Sequence, residues 1–358
     1  MKKAVLLPLI IVILLICASC AKEELTPPQP PFPTVESVNS LIESVGEVTD
    51  IYSAAQVSKI IEEYQLLDEL SQTKVTDIQR IIDSVRTASS FFEEDDMKIK
   101  VMSFNIRYGE WGIGRQEKVL TLIAQEEPDI FGVQEANEAW VSLIHSRFDK
   151  SEKYAFVGTG REGGGNGEHN FVFYRKDKFN LLESNTLWLT DTPEVKSKHP
   201  DAGSFRILTY QVLERKTDGQ VFIHVNTHLD HIGGALSQAE MLTEWVEEHF
   251  GNQFPIVITG DFNYAENSEV LQTFFNAGFE NVNRDKLTTR TFNAYDESGT
   301  GGSLIDFILV NDLYTDISYK VCAEKMDGQW ISDHNAIVSE LLVLPTYSSI
   351  ELPEETEE

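Results

Sequence analysis

The chain has 358 residues, more than one hydrophobic core usually holds, so we expect one large domain together with a smaller unit or processed ends. Hydrophobic residues make up 41% and charged residues 24%, which excludes a mainly disordered chain and a multi-span membrane protein. The 29 basic and 58 acidic side chains give a formal net charge of −29, which disfavours extended duplex DNA as a partner because phosphate backbones repel an acidic surface.

The N-terminal segment has the features of a secretion signal. Two lysines precede an apolar run from Ala4 to Ala18, and this run is shorter than the roughly 20 residues that a membrane span needs. It leads into ICASC, which resembles the bacterial lipobox that ends in a lipidated cysteine. We therefore expect residues 1–19 to be a signal peptide and Cys20 to carry the membrane anchor of an exported lipoprotein, facing the periplasm or the cell surface. Cys17 stands where an aliphatic residue is usual, which leaves simple cleavage or retention open.

Cysteine usage limits the covalent and metal chemistry. Cys17 leaves with the predicted signal and Cys20 is acylated, so Cys322 remains as the free thiol of the three cysteines. An intrachain disulfide and a thiolate zinc site are therefore excluded. Cys322 lies in an apolar stretch typical of a strand, and we interpret it as a small core residue.

Two segments precede the main domain. Residues 20–35 contain five prolines and predict an extended spacer. Residues 36–95 predict a small three-helix unit, because apolar residues recur there at helical spacing. The three stripes are Leu41, Ile42 and Val45; Val57, Ile60, Ile61 and Tyr64; and Ile78, Ile81, Ile82 and Val85. The unit resembles short helical repeats beside domains of bacterial surface proteins, so a spacer role and ligand binding both remain open.

From residue 97 to residue 345 short β-rich runs alternate with helical patterns. The runs include IKVMSF, DIFGVQ, FVFYR, RILTYQVLER, QVFIHVNTH, PIVITGD, LIDFILV and NAIVSELLV, and helices are expected near 115–127, 137–148 and 235–249. Many strands with helices between them predict the α/β class, as a sandwich of sheets covered by helices. Residues 346–358 are acidic and predict a disordered, solvated tail.

Polar residues stand where several of these apolar strands end. If the strands lie side by side, their ends meet at one rim and bring together carboxylates, carboxamides and two imidazoles, a ligand set that suits a hard divalent cation. The residues are Asn105, Glu135, His228, Asp261, Asn263, Asp306, Asp333 and His334.

The motifs around these residues, FNIRYG, GVQEAN, NTHLDH, TGDFN, IDFILV and SDHNAIV, follow one another in the order found in a known superfamily. The chain thereby resembles the endonuclease/exonuclease/phosphatase superfamily over residues 97–345. The resemblance implies a two-sheet α/β sandwich of the deoxyribonuclease-I type that hydrolyses phosphoester bonds with Mg²⁺ or Mn²⁺.

The resemblance also implies a role for each matching residue. Glu135 corresponds to the principal metal ligand, assisted by Asn105 and Asp333. Asp261 corresponds to the residue that orients and deprotonates water, and Asn263 would donate its amide to a phosphate oxygen. Further catalytic positions are the pair of His334 with Asp306 and the pair of His228 with Glu168. The Glu168 assignment competes with a mobile loop, because this residue follows the glycine-rich REGGGNG.

The substrate is the least specified feature. Arg107 and Arg206 are candidates for binding phosphate, as are Arg115 and Arg161, and Trp111, Trp188 and Trp330 are candidates for stacking. Asp230 and His231 extend the NTHLDH motif and are interpreted as turn structure or outer support. The sequence lacks the basic, aromatic-rich insertion that a DNA-binding nuclease needs, so a small or headgroup-like phosphoester is favoured as the substrate. The rival functions are an extracellular nuclease and a catalytically inactive surface binding protein.

Overall fold

The computed structural model describes residues 33–49, 51–89, 97–109, 114–149, 153–251, 254–298 and 301–343. The predicted signal peptide, Cys20, most of the proline-rich spacer, Trp111 and the predicted acidic tail lie outside these ranges. Within them, no helix combines the length and the apolar character that crossing a membrane requires.

The N-terminal helices form their own small core. They are α1 (Val35–Ser44), α2 (Ile51–Gln65), the single-turn α3 (Glu69–Gln72) and α4 (Ile78–Ser89). Helix α1 begins with a capping box, in which the Thr34 side chain accepts from the backbone N–H of Ser37 and the Ser37 side chain accepts from that of Thr34. The three apolar stripes of the sequence meet in this core, and α3, whose residues ELSQ have no apolar periodicity, is an addition to them.

The helices contact the larger domain at the far end of one sheet. The Lys59 Nζ on α2 lies 2.5 Å from the Glu214 carboxylate, and the Lys59 stem lies under the turn at Gly219. Leu66 packs against the core of the same sheet. Glu214 lies near the end of its strand, and the other end of that strand is next to the rim that carries the polar residues.

Two sheets of six strands make up the large domain, as predicted. Sheet 1 has the order β11-β12-β1-β2-β4-β3 and sheet 2 the order β5-β6-β7-β8-β10-β9. The strands are β1 (Lys98–Asn105), β2 (Ile130–Ala136), β3 (Tyr154–Val157), β4 (His169–Arg175), β5 (Phe179–Trp188), β6 (Ile207–Arg215), β7 (Val221–His228), β8 (Ile256–Asp261), β9 (Glu280–Asn281), β10 (Asp306–Val310), β11 (Thr315–Cys322) and β12 (Ala336–Leu342).

Each sheet contains one parallel pair, β1 with β2 and β7 with β8, and its other pairings are antiparallel. Helix α5 (Arg115–Glu126) connects β1 to β2, and α7 (Ala235–Phe250) connects β7 to β8. The remaining helices are α6 (Glu138–Ile144), which continues as a π-helical turn over His145–Asp149, and α8 (Glu269–Asn276). A parallel pair requires such a crossover, so the helices cover the outer faces of the two sheets.

The hydrophobic core has three layers. One lies between the sheets and includes Val101, Phe222, Val257, Ile308 and Leu341. The other two lie between each sheet and its covering helices. Cys322 ends β11 at the margin of the sheet 1 layer and is half-buried, and this burial raises the pKa of its thiol to about 12.

Candidate active site

The topology of the two sheets brings the predicted polar residues to one rim. Strands β1, β2, β7 and β8 present their carboxyl ends there, while the antiparallel strands β10 and β12 present their amino ends. His228, Asp261 and Asp306 are direct neighbours in a row across sheet 2. Asn105 and Glu135 lie opposite them on sheet 1, and His334 precedes β12.

Asp261 lies at the centre of this rim and is almost completely buried. Its Oδ2 accepts from the Asn105 Nδ2 at 2.9 Å, and its Oδ1 accepts from the backbone N–H of Asn263 at 2.9 Å. The Nε2 atoms of His228 and His334 lie 3.5 and 3.6 Å from the same Oδ2. Burial raises the pKa of Asp261 to about 7, against the opposing field of His334. The carboxylate is therefore held in place while remaining basic enough to accept a proton.

His334 forms a close pair with Asp306. The His334 Nδ1 lies 2.8 Å from the Asp306 Oδ2 and 3.1 Å from its Oδ1, and both residues are buried. Burial alone would lower the pKa of this imidazole, but Asp306 and Asp261 outweigh it and raise the pKa to about 10. His334 is therefore cationic at neutral pH, with its Nε2–H directed towards the centre of the rim.

His228, unlike His334, is held in the neutral form. Burial, together with the cations Arg206 and Arg161, holds the pKa of this imidazole well below its usual range. Its predicted partner Glu168 is near, at 3.8 Å from Nδ1, which is beyond hydrogen-bond distance. Instead the Glu168 carboxylate accepts from the Arg161 Nη1 at 2.7 Å. His228 is thus a neutral imidazole whose Nδ1 makes no hydrogen bond among the described residues.

The glycine-rich segment before Glu168 is a tight hairpin. The backbone N–H of Glu162 donates to the Asn166 carbonyl, and that of Arg161 donates to the Glu168 carbonyl. Trp188, a predicted stacking residue, donates its Nε1–H to the Arg161 carbonyl. These bonds fix the position of Glu168 beside His228.

On the sheet 1 side, Glu135 accepts two hydrogen bonds and lies near a second carboxylate. Its carboxylate accepts from the Asn105 Nδ2 at 3.0 Å and from the backbone N–H of Tyr108 at 2.7 Å. Asp333 is close enough to Glu135 to interact with it electrostatically, and its Oδ2 pairs with the Arg107 Nη1 at 2.9 Å. Burial raises the pKa of Asp333.

These residues fit a divalent cation. Glu135, His228 and Asp261 each offer one ligand atom, and the three atoms lie within 4.8 Å of one another. Carboxylate oxygens without any thiolate form the donor set that Mg²⁺ and Mn²⁺ prefer. Asn105 directs its Nδ2 to the two carboxylates and its Oδ1 to the backbone N–H of Arg107, so it supports these ligands as well as offering an oxygen.

Three residues of the rim have left-handed backbone conformations. The φ angles are +59° at Glu135, +62° at Arg107 and +60° at Asn263. This conformation costs on the order of 1–3 kcal/mol for residues such as Glu and Arg, and less for Asn. At Glu135 it coincides with a bulge between β2 and β4, which turns the carboxylate towards Asn105. Strain of this kind persists where surrounding contacts enforce it and is typical of functional sites.

A buried cationic group adjoins His228. Arg206 is only 4% exposed, its Nε lies 3.5 Å from Asp230 Oδ2, and its Nη1 has no hydrogen-bond partner among the described residues. Asp230 accepts from the backbone N–H groups of Ser204, Ile232 and Gly233, so it shapes the turn after β7 and holds Arg206. These bonds outweigh its burial and lower the pKa of Asp230 to about 2.

Arg115 and Trp330, two of the suggested binding residues, make other contacts in the structure. Arg115 is buried and donates to the carbonyls of Ile106, Arg107 and Ile331, so its guanidinium supports the rim from below and is not available to phosphate. His231 lies 3.5 Å from the Arg206 Nη2. Trp330 lies beneath the Lys325 ammonium.

Sequence reasoning missed the segment that supports His334. The Thr291 hydroxyl accepts from the backbone N–H of Asp306, the Phe292 ring contacts the His334 ring with centroids 4.9 Å apart, and Asn293 donates to the Ser332 carbonyl. This TFN run has neither strand periodicity nor a charged residue. Its polar residues Thr291 and Asn293 are nevertheless completely buried, and no pattern in the sequence indicated this burial.

Comparisons with known proteins agree with this architecture. The model of the endonuclease/exonuclease/phosphatase family matches residues 102–334, whereas no curated protein matches the chain. A member of this family from Bacteroides vulgatus is 29% identical with a TM-score of 0.64, over 69% of this chain and 99% of that one. Another, from Bacteroides thetaiotaomicron, is 27% identical with a TM-score of 0.63, over 69% and 98%.

A mannosyl-6-phosphatase from Bacteroides thetaiotaomicron is also similar, with 28% identity and a TM-score of 0.61 over 68% of this chain and 99% of that one. The range matched by the family model runs from β1 to His334 and contains every predicted catalytic and metal-binding residue. The chain belongs to the endonuclease/exonuclease/phosphatase family, and its fold is that of phosphoester hydrolases.

Proposed function

We propose that the chain is a divalent-metal-dependent phosphoesterase that acts on a small or headgroup-like phosphoester. The observation that carries this proposal is the position of Asp261 between a cationic and a neutral imidazole, opposite the Glu135 carboxylate. Hydrolysis of a phosphoester needs an oriented water, positive charge beside the phosphate oxygens and a proton for the leaving alcohol. The rim offers residues for the first two tasks, and the proton that Asp261 accepts from water balances the one that the leaving alcohol needs.

The residues divide these tasks between the two sheets. Asp261 orients water and accepts its proton, the role suited to a buried carboxylate with a raised pKa. His334 and the Asn263 amide donate to the phosphate oxygens as negative charge develops on them. Glu135, with Asn105 and Asp333, would hold Mg²⁺ or Mn²⁺, which supplies positive charge to the phosphate oxygens when bound.

Two further observations support a small phosphoester. Arg206 is a buried guanidinium near His228, and its Nη1 makes no hydrogen bond among the described residues. The Arg161 Nε, which lies 4.0 Å from a Glu162 carboxylate oxygen, makes none there either. A buried, unpaired N–H group is costly unless a ligand accepts from it, and guanidinium suits phosphate oxygens. The name of the similar mannosyl-6-phosphatase indicates a sugar phosphate as its substrate. A substrate of that size and charge would suit a rim with the Arg206 and Arg161 guanidiniums beside it.

A substrate panel tests the proposal. The full-length protein would be assayed on p-nitrophenyl phosphate, bis-p-nitrophenyl phosphate, mannose 6-phosphate, an inositol phosphate, sphingomyelin and plasmid DNA, each with Mg²⁺, Mn²⁺ or a chelator. We expect turnover of at least one small phosphoester and loss of turnover with chelator. Activity on plasmid DNA alone would favour the nuclease function instead. A folded protein inert on the whole panel would favour the binding-protein function and contradict the proposal.

The metal role has its own test. Glu135→Gln should preserve the fold and reduce both Mn²⁺ affinity, measured by calorimetry, and metal-dependent turnover. The exposed Glu117, on the outer helix α5, provides the matched Glu117→Gln control. Full turnover in excess chelator, or unchanged Mn²⁺ affinity in Glu135→Gln, would contradict the assignment.

For the residues that precede the described chain, we propose export and lipidation at Cys20. The lysine-rich start, the short apolar run and the sequence ICASC support this proposal. Cys20→Ser should release the protein from the membrane fraction or leave it unprocessed. Unchanged fractionation together with unchanged mass would contradict it.

A further inference from the structure

Directly beneath the rim, the space between the two sheets is polar. Six buried residues form a connected cluster that we call the polar seam: Ser103, Gln134, Gln211, His224, Asn226 and Thr259. Each is at most 1% exposed. Further from the rim the same interlayer space is filled by apolar residues such as Val101, Phe222 and Val257. A polar cluster in such a position needs a reason, because an apolar core would stabilise the fold without requiring matched hydrogen bonds.

Asn226 is the centre of the seam and joins the two sheets. From sheet 2 its Nδ2 donates to the carbonyls of Val133 and Phe171 on sheet 1, both at 2.9 Å. Its Oδ1 accepts from the Gln134 Nε2 at 2.7 Å and from the Thr259 hydroxyl at 3.1 Å. The side chain therefore uses both donors and both lone pairs, and three of its four bonds cross between sheets.

The rest of the seam fixes the direction of each hydrogen bond. The Gln211 Nε2 can only donate, so the His224 Nδ1 that it contacts at 3.1 Å accepts. The His224 Nε2 then carries the proton and donates to the Thr259 hydroxyl at 2.9 Å, leaving that hydroxyl to donate to Asn226. Burial lowers the pKa of His224 to about 3, so this ring is neutral and the order of donors is fixed.

The two sheets lie close together at Gly132. A Cβ atom on Gly132 would lie 2.3 Å from the Thr259 Oγ1 and 2.4 Å from the Asn226 Oδ1. Only glycine leaves room for the seam at this position, so the separation of the sheets is set by these contacts.

Seam residues precede rim residues on the same strands. Ser103 comes two residues before Asn105, Asn226 two before His228, and Thr259 two before Asp261. Residues two apart on a strand face the same side, so the seam is the layer directly below the rim. Gln134 comes immediately before Glu135, and the bulge described above brings Glu135 back to the same side.

We infer that the polar seam is a positioning network that fixes sheet 1, which carries Glu135, Asn105 and Asp333, against sheet 2, which carries Asp261, His228 and Asp306. The inference rests on the proposed function, because it assigns the two halves of one reaction to different sheets. Of the three residues whose ligand atoms lie close together, Glu135 is on sheet 1, whereas His228 and the base Asp261 are on sheet 2. A change in sheet separation therefore alters the distance from Glu135 to Asp261 and His228.

The test compares two substitutions of Thr259 with a control on the same strand. Thr259→Val keeps the shape but removes the hydroxyl, and Thr259→Ser keeps the hydroxyl but removes the methyl group. Val257→Ala removes apolar contacts from the same interlayer space, so it is the control for a general loss of packing. A misplacement of reacting groups by about 1 Å typically costs up to 10²-fold in rate.

We expect Thr259→Val to lower kcat by about 10–100-fold, because it shifts Glu135 on sheet 1 relative to Asp261 on sheet 2. Inorganic phosphate, which in the proposed function interacts with groups on both sheets, should bind Thr259→Val more weakly than it binds wild type, with Mn²⁺ present in both measurements. Thr259→Ser should restore most of kcat. Val257→Ala should lower Tm at least as much as Thr259→Val while retaining kcat.

Two results would overturn the inference. One is a wild-type kcat in Thr259→Val. The other is a Val257→Ala variant whose kcat falls together with its Tm, as a general loss of packing would cause. If Thr259→Val fails to fold, the test uses Ser103→Ala instead, which removes one hydrogen-bond acceptor of Gln134. A wild-type kcat in Ser103→Ala would then contradict the inference. Absence of turnover in the wild-type protein would contradict the proposed function. The phosphate affinity of Thr259→Val relative to wild type would then still test the positioning role of the polar seam.

Discussion

His228 and His334 make a natural comparison, because they are the same residue type with the same central neighbour. Each ring directs its Nε2 to the Asp261 Oδ2, at 3.5 and 3.6 Å, and each residue is 5% exposed. Their pKa values nevertheless move in opposite directions, down for His228 and up to about 10 for His334. Burial is common to both, so it does not explain the difference.

The second partner of each ring explains it. The Nδ1 of His334 is in hydrogen-bond contact with the Asp306 carboxylate, whereas the carboxylate nearest to the Nδ1 of His228 is held by Arg161. One imidazole is thereby charged and the other neutral within a single rim. A phosphoester site needs both kinds, a cation beside the phosphate and a neutral group that exchanges a proton. The comparison therefore assigns the charge-stabilising role to His334.

The largest effect is expected from Asp261→Asn, which removes the group shared by both imidazoles. Loss of a general base typically costs about 10²–10⁴-fold in rate, so kcat should fall by that factor. Tm should stay the same or rise at neutral pH, because burial disfavours the charged carboxylate. Steady-state kinetics and thermal unfolding check both, with the exposed Asp285→Asn as the control. A folded variant with more than about a tenth of wild-type kcat would exclude Asp261 as the base.

His334→Ala should be the next most damaging change. Removal of one preorganised donor to a developing negative charge typically costs about 10²–10³-fold in kcat. Combined with Asp261→Asn, the loss should be smaller than the product of the two single losses, because both residues act on one transition state. Kinetics of the two single variants and the double variant measure this coupling. Multiplicative losses would show that the two residues act in separate steps.

Asp306→Asn should change the pH dependence more than the rate at pH 7. Without the carboxylate, the pKa of His334 should fall by about 1–3 units from its value near 10, so the alkaline decline of kcat should begin at lower pH. The raised pKa also stabilises the fold, fully below pH 6.5 and decreasingly as pH rises through about 10. The Tm difference from wild type should therefore be largest at or below pH 6.5 and vanish above pH 10. Identical pH profiles for the two proteins would contradict the pairing.

Glu168→Gln should have the smallest effect, less than about tenfold in kcat, because Glu168 does not hydrogen-bond His228 and the amide still accepts from Arg161. The pH profiles of kcat for Glu168→Gln and Asp306→Asn, measured together, compare the pair of Glu168 and His228 with the pair of Asp306 and His334. A loss as large as that of His334→Ala would mean that Glu168 acts on His228 as Asp306 acts on His334.

Much of the fold could be predicted from the sequence because the apolar strands are short and end in polar residues. Asn105, His228 and Asp261 were identifiable in this way, and the strand topology then brings them together. The partner of Glu168 could not be predicted, because Arg161 reaches it through a hairpin whose shape depends on left-handed glycines. Arg115 was misinterpreted for a related reason: a buried arginine that donates to three carbonyls looks, in sequence, like a surface cation.

The polar seam shows a second limit of sequence reasoning. His224 and Gln211 stand in apolar strands, where each alone suggests an exposed face of a sheet. Their burial depends on the close packing of Gly132, on a strand distant in sequence, against Asn226 and Thr259, so only the packed sheets reveal it.

The opposite charge states of the two imidazoles can be measured directly. Nitrogen-15 NMR of the histidine rings at pH 7, assigned with the His228→Ala and His334→Ala variants, reports which ring nitrogens carry protons. We predict that both nitrogens of His334 are protonated and that only one nitrogen of His228 is. A neutral His334 at pH 7, or two rings in the same state, would contradict the division of roles between them.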